Sequence, residues 1–303
     1  MSSRTDLQAA QERTLARLAA VKHHFDSQAG SGRARGKVGI VTGAGSEKGI
    51  GRATARLLAR EGAGALYILD FDGSTLGSFA KELEAKHPGL SVSAHTGDAA
   101  SSDLVSSLCD LALEQHGKLD FFFANAGTTG SNFGPLETQD EEVFSEVMRV
   151  NLLSCFLAVK HASAAMKKNP ASSAGGSILL TASVAGLRSG AGPVDYSASK
   201  AGVINLAQTA ANQLQGTGIR VNALCPGLIQ SGMTAPTFDR ARDRGTLGKV
   251  GQLNPLRRYG IAEEVAHAAL WLASDDSSYV NGIALPVDGG LSSSLPVVPG
   301  QYH

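Results

Sequence analysis

Neither sign of charge is in excess: 27 Lys and Arg balance 27 Asp and Glu. No basic surplus points to nucleic acid, and no acidic tract points to disorder. Cysteine is scarce. Cys109, Cys155 and Cys225 are odd in number and widely spaced, which supports neither a disulfide framework nor a zinc site. They read as reduced thiols in an intracellular compartment. No run of about 18 apolar residues occurs, so no segment is expected to span a membrane. No repeat of solenoid period is visible, and Gln301-Tyr302-His303 is no peroxisomal address. What remains is a chain of 303 residues, 43% hydrophobic, ample for one α/β domain. Its 36 glycines suggest tight turns and close approach of backbone to a ligand.

Residues 1–36 stand apart. Leu7, Leu15, Leu18, Val21 and Phe25 recur at roughly helical spacing, and Gln28 to Gly36 reads as a Gly/Ser/Arg linker. Arg4, Arg13 and Arg17 fit a mitochondrial presequence, whereas Asp6, Glu12 and Asp26 argue against one. The expectation is an arm that packs on the body or on a neighbouring subunit.

From Lys37 onward, strand and helix patterns alternate. Lys37 to Thr42 is an apolar run of the kind a buried parallel strand shows. Gly43-Ala44-Gly45-Ser46-Glu47-Lys48-Gly49-Ile50-Gly51 follows, then helix formers from Arg52 to Arg60. Strand, glycine turn and helix together gather backbone N–H groups and the positive helix end where a pyrophosphate binds. A flexible turn is the alternative. Ala65 to Asp70 is a second strand, and Asp70 lies 19 residues after Gly51. A carboxylate there accepts hydrogen bonds from both ribose hydroxyls and repels a 2′-phosphate, which favours NAD over NADP. Lys48 argues the other way.

Ser74 to His87 reads as a helix and Leu90 to His95 as a strand. Asp98 next meets an adenine edge or caps the following helix, Ser101 to His116. Leu119 to Ala124 is the fourth strand, closed by Asn125-Ala126-Gly127. Glu141 to Lys168 reads as one long amphipathic helix. Asn151, at its middle, is a poor interior helix residue. It holds a water or a strained helix, or simply faces solvent. Ser177 to Ser183 is the fifth strand, with Ser183 at the end where open α/β sheets place ligands. Val194 to Gln215 is a helix and Ile219 to Leu224 the sixth strand, followed by Pro226-Gly227. Leu228 to Tyr259 has no strong period and reads as a long loop serving as a substrate lid. Ala262 to Ala273 is helical and Gly282 to Val287 is the seventh strand. Ser189 to Val194 and Gly130 to Phe133 are expected to border the substrate.

Tyr196-Ser197-Ala198-Ser199-Lys200 puts a phenol and an ammonium on one helix face. A cation beside a phenol favours the phenolate, and so suits it to acid and base work near neutral pH. Read alone, Tyr-x-x-x-Lys is equally an ordinary amphipathic helix.

With Thr-Gly…Gly-Ile-Gly, Asn125-Ala126-Gly127, Asn151, Ser183, Tyr196-x-x-x-Lys200 and Pro226-Gly227 in this order, residues 37–291 resemble the short-chain dehydrogenase/reductase family. The resemblance implies a single doubly wound parallel sheet of about seven strands, a Rossmann fold, with residues 292–303 a tail outside it. It implies Tyr196 as general acid/base, Lys200 as its partner and a holder of the nicotinamide ribose. Ser183 would orient the substrate oxygen, and Asn151 would hold a water. Gly43, Ser46, Lys48, Gly49, Ile50 and Gly51 would bracket the phosphates. Asp70 and Phe71 would meet the adenosine, Asp98 and Ala99 the adenine. Asn125, Ala126 and Gly127 would support the neighbouring strand end. Pro226, Gly227, Ile229 and Ser231 would meet the nicotinamide. The two-residue extension Glu47-Lys48 departs from the family pattern.

The expected activity is reversible oxidation of a secondary alcohol to a ketone with NAD, NADP being the other coenzyme considered. An NADPH-dependent reductase of 3-oxoacyl or polyketide-type substrates is the alternative, and a non-catalytic dinucleotide-binding sensor the more distant one. No metal and no nucleic acid is expected. A cytoplasmic homo-tetramer or homo-dimer is expected, with mitochondrial import as the alternative location.

Overall fold

Seven segments, most of them apolar runs, become parallel strands, and their order fixes where a ligand can enter. The computed structural model describes residues 4–27, 30–131, 134–171 and 175–294. The strands are β1 (Val38–Thr42), β2 (Ala65–Asp70), β3 (Ser91–Thr96), β4 (Phe121–Ala124), β5 (Gly176–Thr181), β6 (Ile219–Pro226) and β9 (Ala284–Val287). They lie in the order β3-β2-β1-β4-β5-β6-β9, every neighbouring pair parallel. The short strands β7 (Ile229–Gln230) and β8 (Gly260–Ile261) pair separately. The chain leaves β1 in one direction and returns to β4 on its other side. That switch point opens a crevice at the carboxyl ends of the strands.

Burial follows position. Every residue of β1 and β4 is buried, while the edge strand β3 is half exposed. Phe121, Phe122 and Phe123 of β4 are each at most 1% exposed, each contributing about 1.5–3 kcal/mol of burial. Gly39 makes room for the first of them: a Cβ there would lie 2.1 Å from the Phe121 ring. On one face pack α2 (Ile50–Arg60), α3 (Leu76–Lys86) and α9 (Ala262–Ala273). On the other pack α4 (Ser102–His116), α6 (Ser154–Met166) and α7 (Val194–Gln213).

Two segments differ from the sequence expectation. The single helix over 141–168 is instead α5 (Glu141–Met148), a π-helical turn Arg149–Leu153, and α6. The extra residue of a π-turn leaves no trace in the apolar spacing. The expected loop 228–259 contains α8 (Ala235–Asp243) and a 3-10 turn Leu247–Lys249. Phe238 of α8 is 2% exposed and packs edge-on against Tyr259. One buried anchor among charged residues is too little to show a period.

The helix α1 (Arg4–Ser27) lies against the body. Leu18 joins Phe238 and Tyr259 in a small core, and the Phe25 ring stacks on His267 of α9 with centroids 4.0 Å apart. Beyond it, Glu61 at the end of α2 accepts hydrogen bonds from Ser31 N and Oγ, each at 2.9 Å, and from Arg33 N at 3.2 Å. No helix among the described residues is long and apolar enough to cross a membrane.

Candidate active site

The strand ends enclose a crevice of about 780 Å³, within the range of ~300–1,000 Å³ usual for ligand sites. At one end it is floored by the glycine turn. Gly43 has φ +71°, and a Cβ there would lie 2.8 Å from Asn125 Nδ2. A Cβ on Gly51 would lie 2.3 Å from the Gly43 carbonyl. Gly51 is therefore buried beneath the turn, letting α2 approach it, and does not line the crevice. Gly49 precedes α2 with no side-chain cap, and Gly49 and Ile50 line the crevice. Uncapped helix N–H groups at a glycine cradle fit a pyrophosphate.

The turn is clamped through Gly45. Its N–H donates to Asp70 Oδ2 at 2.7 Å, and its carbonyl accepts from Thr75 Oγ1 at 2.7 Å and Arg52 Nη1 at 3.4 Å. Arg52 is 4% exposed, with its guanidinium 4.2 Å from the centre of the Phe79 ring. The extension falls beside this clamp, where Glu47 and Lys48 are exposed. Lys48 is not among the residues lining the crevice, whereas Ser46 is.

Asp70 and the exposed Phe71 border the crevice. Asp70 Oδ1 accepts from Asp72 N at 3.1 Å. A carboxylate has about four acceptor positions, so both oxygens keep capacity for ligand hydroxyls. Asp98 and Ala99 line the next stretch of wall. Asp98 does not cap α4; Ser101 does, its Oγ accepting from Leu104 N. Asp98 instead accepts from Ala100 N at 2.8 Å and pairs with Arg149 at 2.6 Å. Burial raises its carboxyl, but these two partners outweigh it and hold it below the usual carboxylate range.

Asn125 ties three strand ends together. Its Nδ2 donates to the carbonyls of Thr42 and Gly43, and its Oδ1 accepts from Thr181 Oγ1 at 3.1 Å. Thr42 Oγ1 accepts from Asn125 N and Ala126 N, at 2.9 and 3.0 Å. Thr42 and Thr181 had no role in the sequence reading. A threonine closing a strand was the available signal.

At the other end Ser183, Tyr196 and Lys200 meet. Lys200 is 2% exposed; its Nζ donates to Thr181 O at 2.7 Å and lies 5.6 Å from the centre of the Tyr196 ring. Ser183 Oγ accepts from Ala185 N at 3.1 Å, which starts a 3-10 turn at Val184–Gly186. Pro226, Gly227, Ile229 and Ser231 form the facing wall. Thr234, unassigned from sequence, braces it by donating to Ile229 O and accepting from Ser231 N.

Asn151 is wholly buried in the π-turn, beside Gly127 and Thr128 of the crevice lining. It does not face solvent. Its Oδ1 accepts from Thr128 N at 2.8 Å; its Nδ2 donates to Thr128 O at 2.9 Å and Ser199 Oγ at 3.0 Å. A Cβ on Gly127 would lie 3.0 Å from Asn151 Oδ1 and 3.4 Å from Lys200 Nζ. Only a residue without a side chain leaves the asparagine and the lysine this room. π-turns inside helices recur at functional sites. Arg149, which opens this one, also went unassigned from sequence, and it lines the crevice.

Ser189 to Val194, Gly130 and Ser131 do not line this crevice, and Asn132 and Phe133 lie outside the described residues. Among the described residues no group of His, Cys, Asp or Glu is placed to hold a metal. The three thiols are unpaired and buried, and burial pushes Cys109 and Cys225 up to about 12. Neither is a nucleophile at neutral pH.

Residues 43–292 match the family model described as enoyl-(acyl carrier protein) reductase. The chain is 38% identical over 259 residues to the 3-oxoacyl-[acyl-carrier-protein] reductase FabG of Thermotoga maritima, covering 86% of this chain and 99% of that one. It is 37% identical over 261 residues to a mitochondrial borneol dehydrogenase of Lavandula x intermedia, covering 86% and 92%. The crystal structure of a levodione reductase superposes with a TM-score of 0.77 at 32% identity, covering 86% of this chain and 99% of that one.

Proposed function

The chain belongs to the short-chain dehydrogenase/reductase family, and from that premise we propose that it uses NAD(H) to interconvert a secondary alcohol and a ketone, with Tyr196 as acid and base. That it is an oxidoreductase of NAD(P) type follows from the family. The preference for NAD rests on one observation. Asp70 sits at the end of β2 in the crevice wall, fixed by Gly45 N at 2.7 Å, while Lys48 is outside the lining. A fixed carboxylate receives ribose hydroxyls and repels a 2′-phosphate.

The coenzyme, when bound, supplies the hydride chemistry. The protein supplies orientation and the proton path. Tyr196 exchanges a proton with the substrate oxygen. Ser183 has one Oγ lone pair engaged by Ala185 N, and its O–H is left to donate to that same oxygen. Lys200 has three donors and spends one on Thr181 O, which leaves two for a ribose hydroxyl and the Tyr196 side of the crevice. Asn151 fixes the Thr128 backbone and, through Ser199, the first turn of α7.

The test compares KM for NADH and NADPH in wild type and in Asp70→Ala. The wild type is expected to favour NADH. The variant is expected to move the ratio toward NADPH by about tenfold or more, the equivalent of ~1.4 kcal/mol. A wild type that prefers NADPH, or an unchanged ratio in the variant, refutes the assignment. A second reading, an NADPH-dependent reductase of 3-oxoacyl thioesters, draws on the 38% identity to FabG. A panel of cyclic ketones and 3-oxoacyl thioesters, followed at the nicotinamide absorbance, decides between them.

Phe144, Leu153 and Phe156 on α5, the π-turn and α6 are 37–47% exposed. We assign this face to a second copy of the chain, in a dimer or tetramer that sedimentation would detect. A cytoplasmic location, testable by fractionation, accords with three unpaired thiols.

A further inference from the structure

Away from the crevice, a second pocket of about 270 Å³ lies between α1 and the turn at 252–258. Four arginines line it: Arg13 and Arg17 from α1, Arg257 and Arg258 from the turn. Arg13 and Arg17 are one helical turn apart and share a face. No Asp or Glu lines the pocket. Arg258 is spoken for, donating to both oxygens of Glu264 at 2.9 and 2.6 Å. Among the described residues, neither the Arg13 nor the Arg17 side chain has a hydrogen bond or ion pair, and both are exposed. Arg257 donates only its Nε, to Gln252 Oε1 at 3.2 Å.

The turn holds Arg257 in an unusual place. Its φ of 52° is the single positive value among the described non-glycine residues. Gln252 Nε2 bonds its carbonyl at 2.6 Å, and its N–H donates to Asn254 O at 2.8 Å. Backbone of this kind persists where surrounding structure over-determines it, and it clusters at ligand clamps. The outcome is three guanidinium groups gathered around one concavity without a counter-charge. Buried Thr14 forms its wall between Arg13 and Arg17. Like charges so placed repel one another, and an anion between them turns that repulsion into attraction. The planar guanidinium fork matches phosphate oxygens two at a time.

We propose that this pocket binds a compact phosphate-bearing anion, of the size of pyrophosphate or a small phosphomonoester. The volume lies just below the ~300 Å³ at which drug-sized ligand sites begin, so a large ligand does not fit. The pocket belongs to the arm as much as to the body, and the arm lies outside residues 43–292 that the family model matches. A bound anion bridges α1 to the 252–258 turn. Leu256 and Arg258 of that turn also line a smaller cavity that reaches Ile229, a residue of the main crevice wall. The assignment stands independently of which coenzyme the crevice takes.

The full-length protein, saturated with NADH so that its crevice is filled, is titrated calorimetrically with sodium pyrophosphate and separately with glycerol 3-phosphate. Sodium chloride at matched ionic strength is the reference. Saturable binding of one equivalent of either anion is expected, and which anion binds identifies the source of the phosphate. Arg13→Gln/Arg17→Gln is expected to weaken it at least tenfold without moving the melting temperature of the anion-free protein. In the wild type, the same anion is expected to protect Arg13, Arg17 and Arg257 from phenylglyoxal, mapped by mass spectrometry. The proposal is overturned if neither anion binds beyond the chloride reference, if the double variant binds as tightly as wild type, or if those arginines are modified equally with and without the anion.

Discussion

Replacing Asn151 by alanine removes three hydrogen bonds from a site with 0% exposure. The Thr128 N–H loses its acceptor at 2.8 Å, and the Thr128 carbonyl loses its donor at 2.9 Å. Ser199 Oγ keeps its bond to Tyr196 O at 2.8 Å, so its loss is smaller. Each orphaned, half-buried Thr128 backbone group costs at most about 1–3 kcal/mol, and a water entering the space of the amide recovers part of it. The sum is about 2–4 kcal/mol. At ~2–4 °C per kcal/mol for a large domain, melting should fall by about 4–16 °C. Activity should fall further than stability suggests. A Cβ on Gly127 would lie within 3.4 Å of both the asparagine amide and Lys200 Nζ, and Thr128 is the next residue. A shift of ~1 Å in that loop costs about 10²-fold in rate. Thermal unfolding, NADH binding by fluorescence and steady-state kcat at saturating substrate measure the three effects. NADH binding should survive, because Asn151 does not line the crevice. The double variant Asn151→Ala/Ser199→Ala should lose less stability than the two single losses summed, by about 0.5 kcal/mol or more, since they share a bond. A melting temperature within about 1 °C of wild type, together with kcat within about twofold, would mean that the π-turn asparagine positions nothing.

Other consequences can be checked alongside it. Tyr196→Phe should bind NADH normally yet lose about 10²–10⁴-fold in kcat, the usual contribution of a positioned acid/base; normal turnover would remove Tyr196 from the reaction. Gly51→Ala should disrupt the phosphate cradle, because its Cβ would lie 2.3 Å from Gly43 O; NADH affinity should drop by tenfold or so, ~1.4 kcal/mol, and unchanged affinity would contradict the cradle. Acid should release the arm in two windows. Burial, aided by the charge of Arg60, pushes His267 down to about 4 from 6.5, so its contribution is complete above pH 6.5 and is lost as pH falls toward 4. Burial raises the Glu61 carboxyl, but the hydrogen bonds of Arg33 and Ser31 outweigh it and hold it at about 2 against 4.5, so its contribution is complete above pH 4.5 and is lost toward pH 2. Limited proteolysis of α1 by an acid-active protease should therefore accelerate below pH 6.5, and Glu61→Gln should remove the lower window while leaving the upper one.

The alternation of apolar runs with helical periods is a local property, and it made the parallel sheet legible from sequence. β1, β2 and β4 were visible because strands buried on both faces carry unbroken apolar runs. The edge strand β3 (SVSAHT) has no such run, and its order in the sequence located it more than its composition did. Of the site, Tyr196, Lys200, Ser183 and the glycine turn were readable because short-range spacing carries them. Arg149, Thr42 and Thr181 were not, because each works through a partner remote in sequence; Thr234 bonds only within residues 229–234, in a turn that no spacing announced. Asp98 looked equally like a helix cap until Arg149, 51 positions away, was seen to hold it.

The order of motifs thus pointed to the family, to a sheet of seven strands and to much of the crevice lining, although Lys48 and Gly51 lie outside that lining and Arg149 and Thr234 belong to it. Tertiary structure alone decided three things. Asn151 is buried in a π-turn against Thr128 and Ser199. The span 228–259 carries a helix seated on the arm. Four arginines from opposite ends of the chain share one pocket. The reason is common to all three: periodicity records which side of an element is buried, but not what it is buried against.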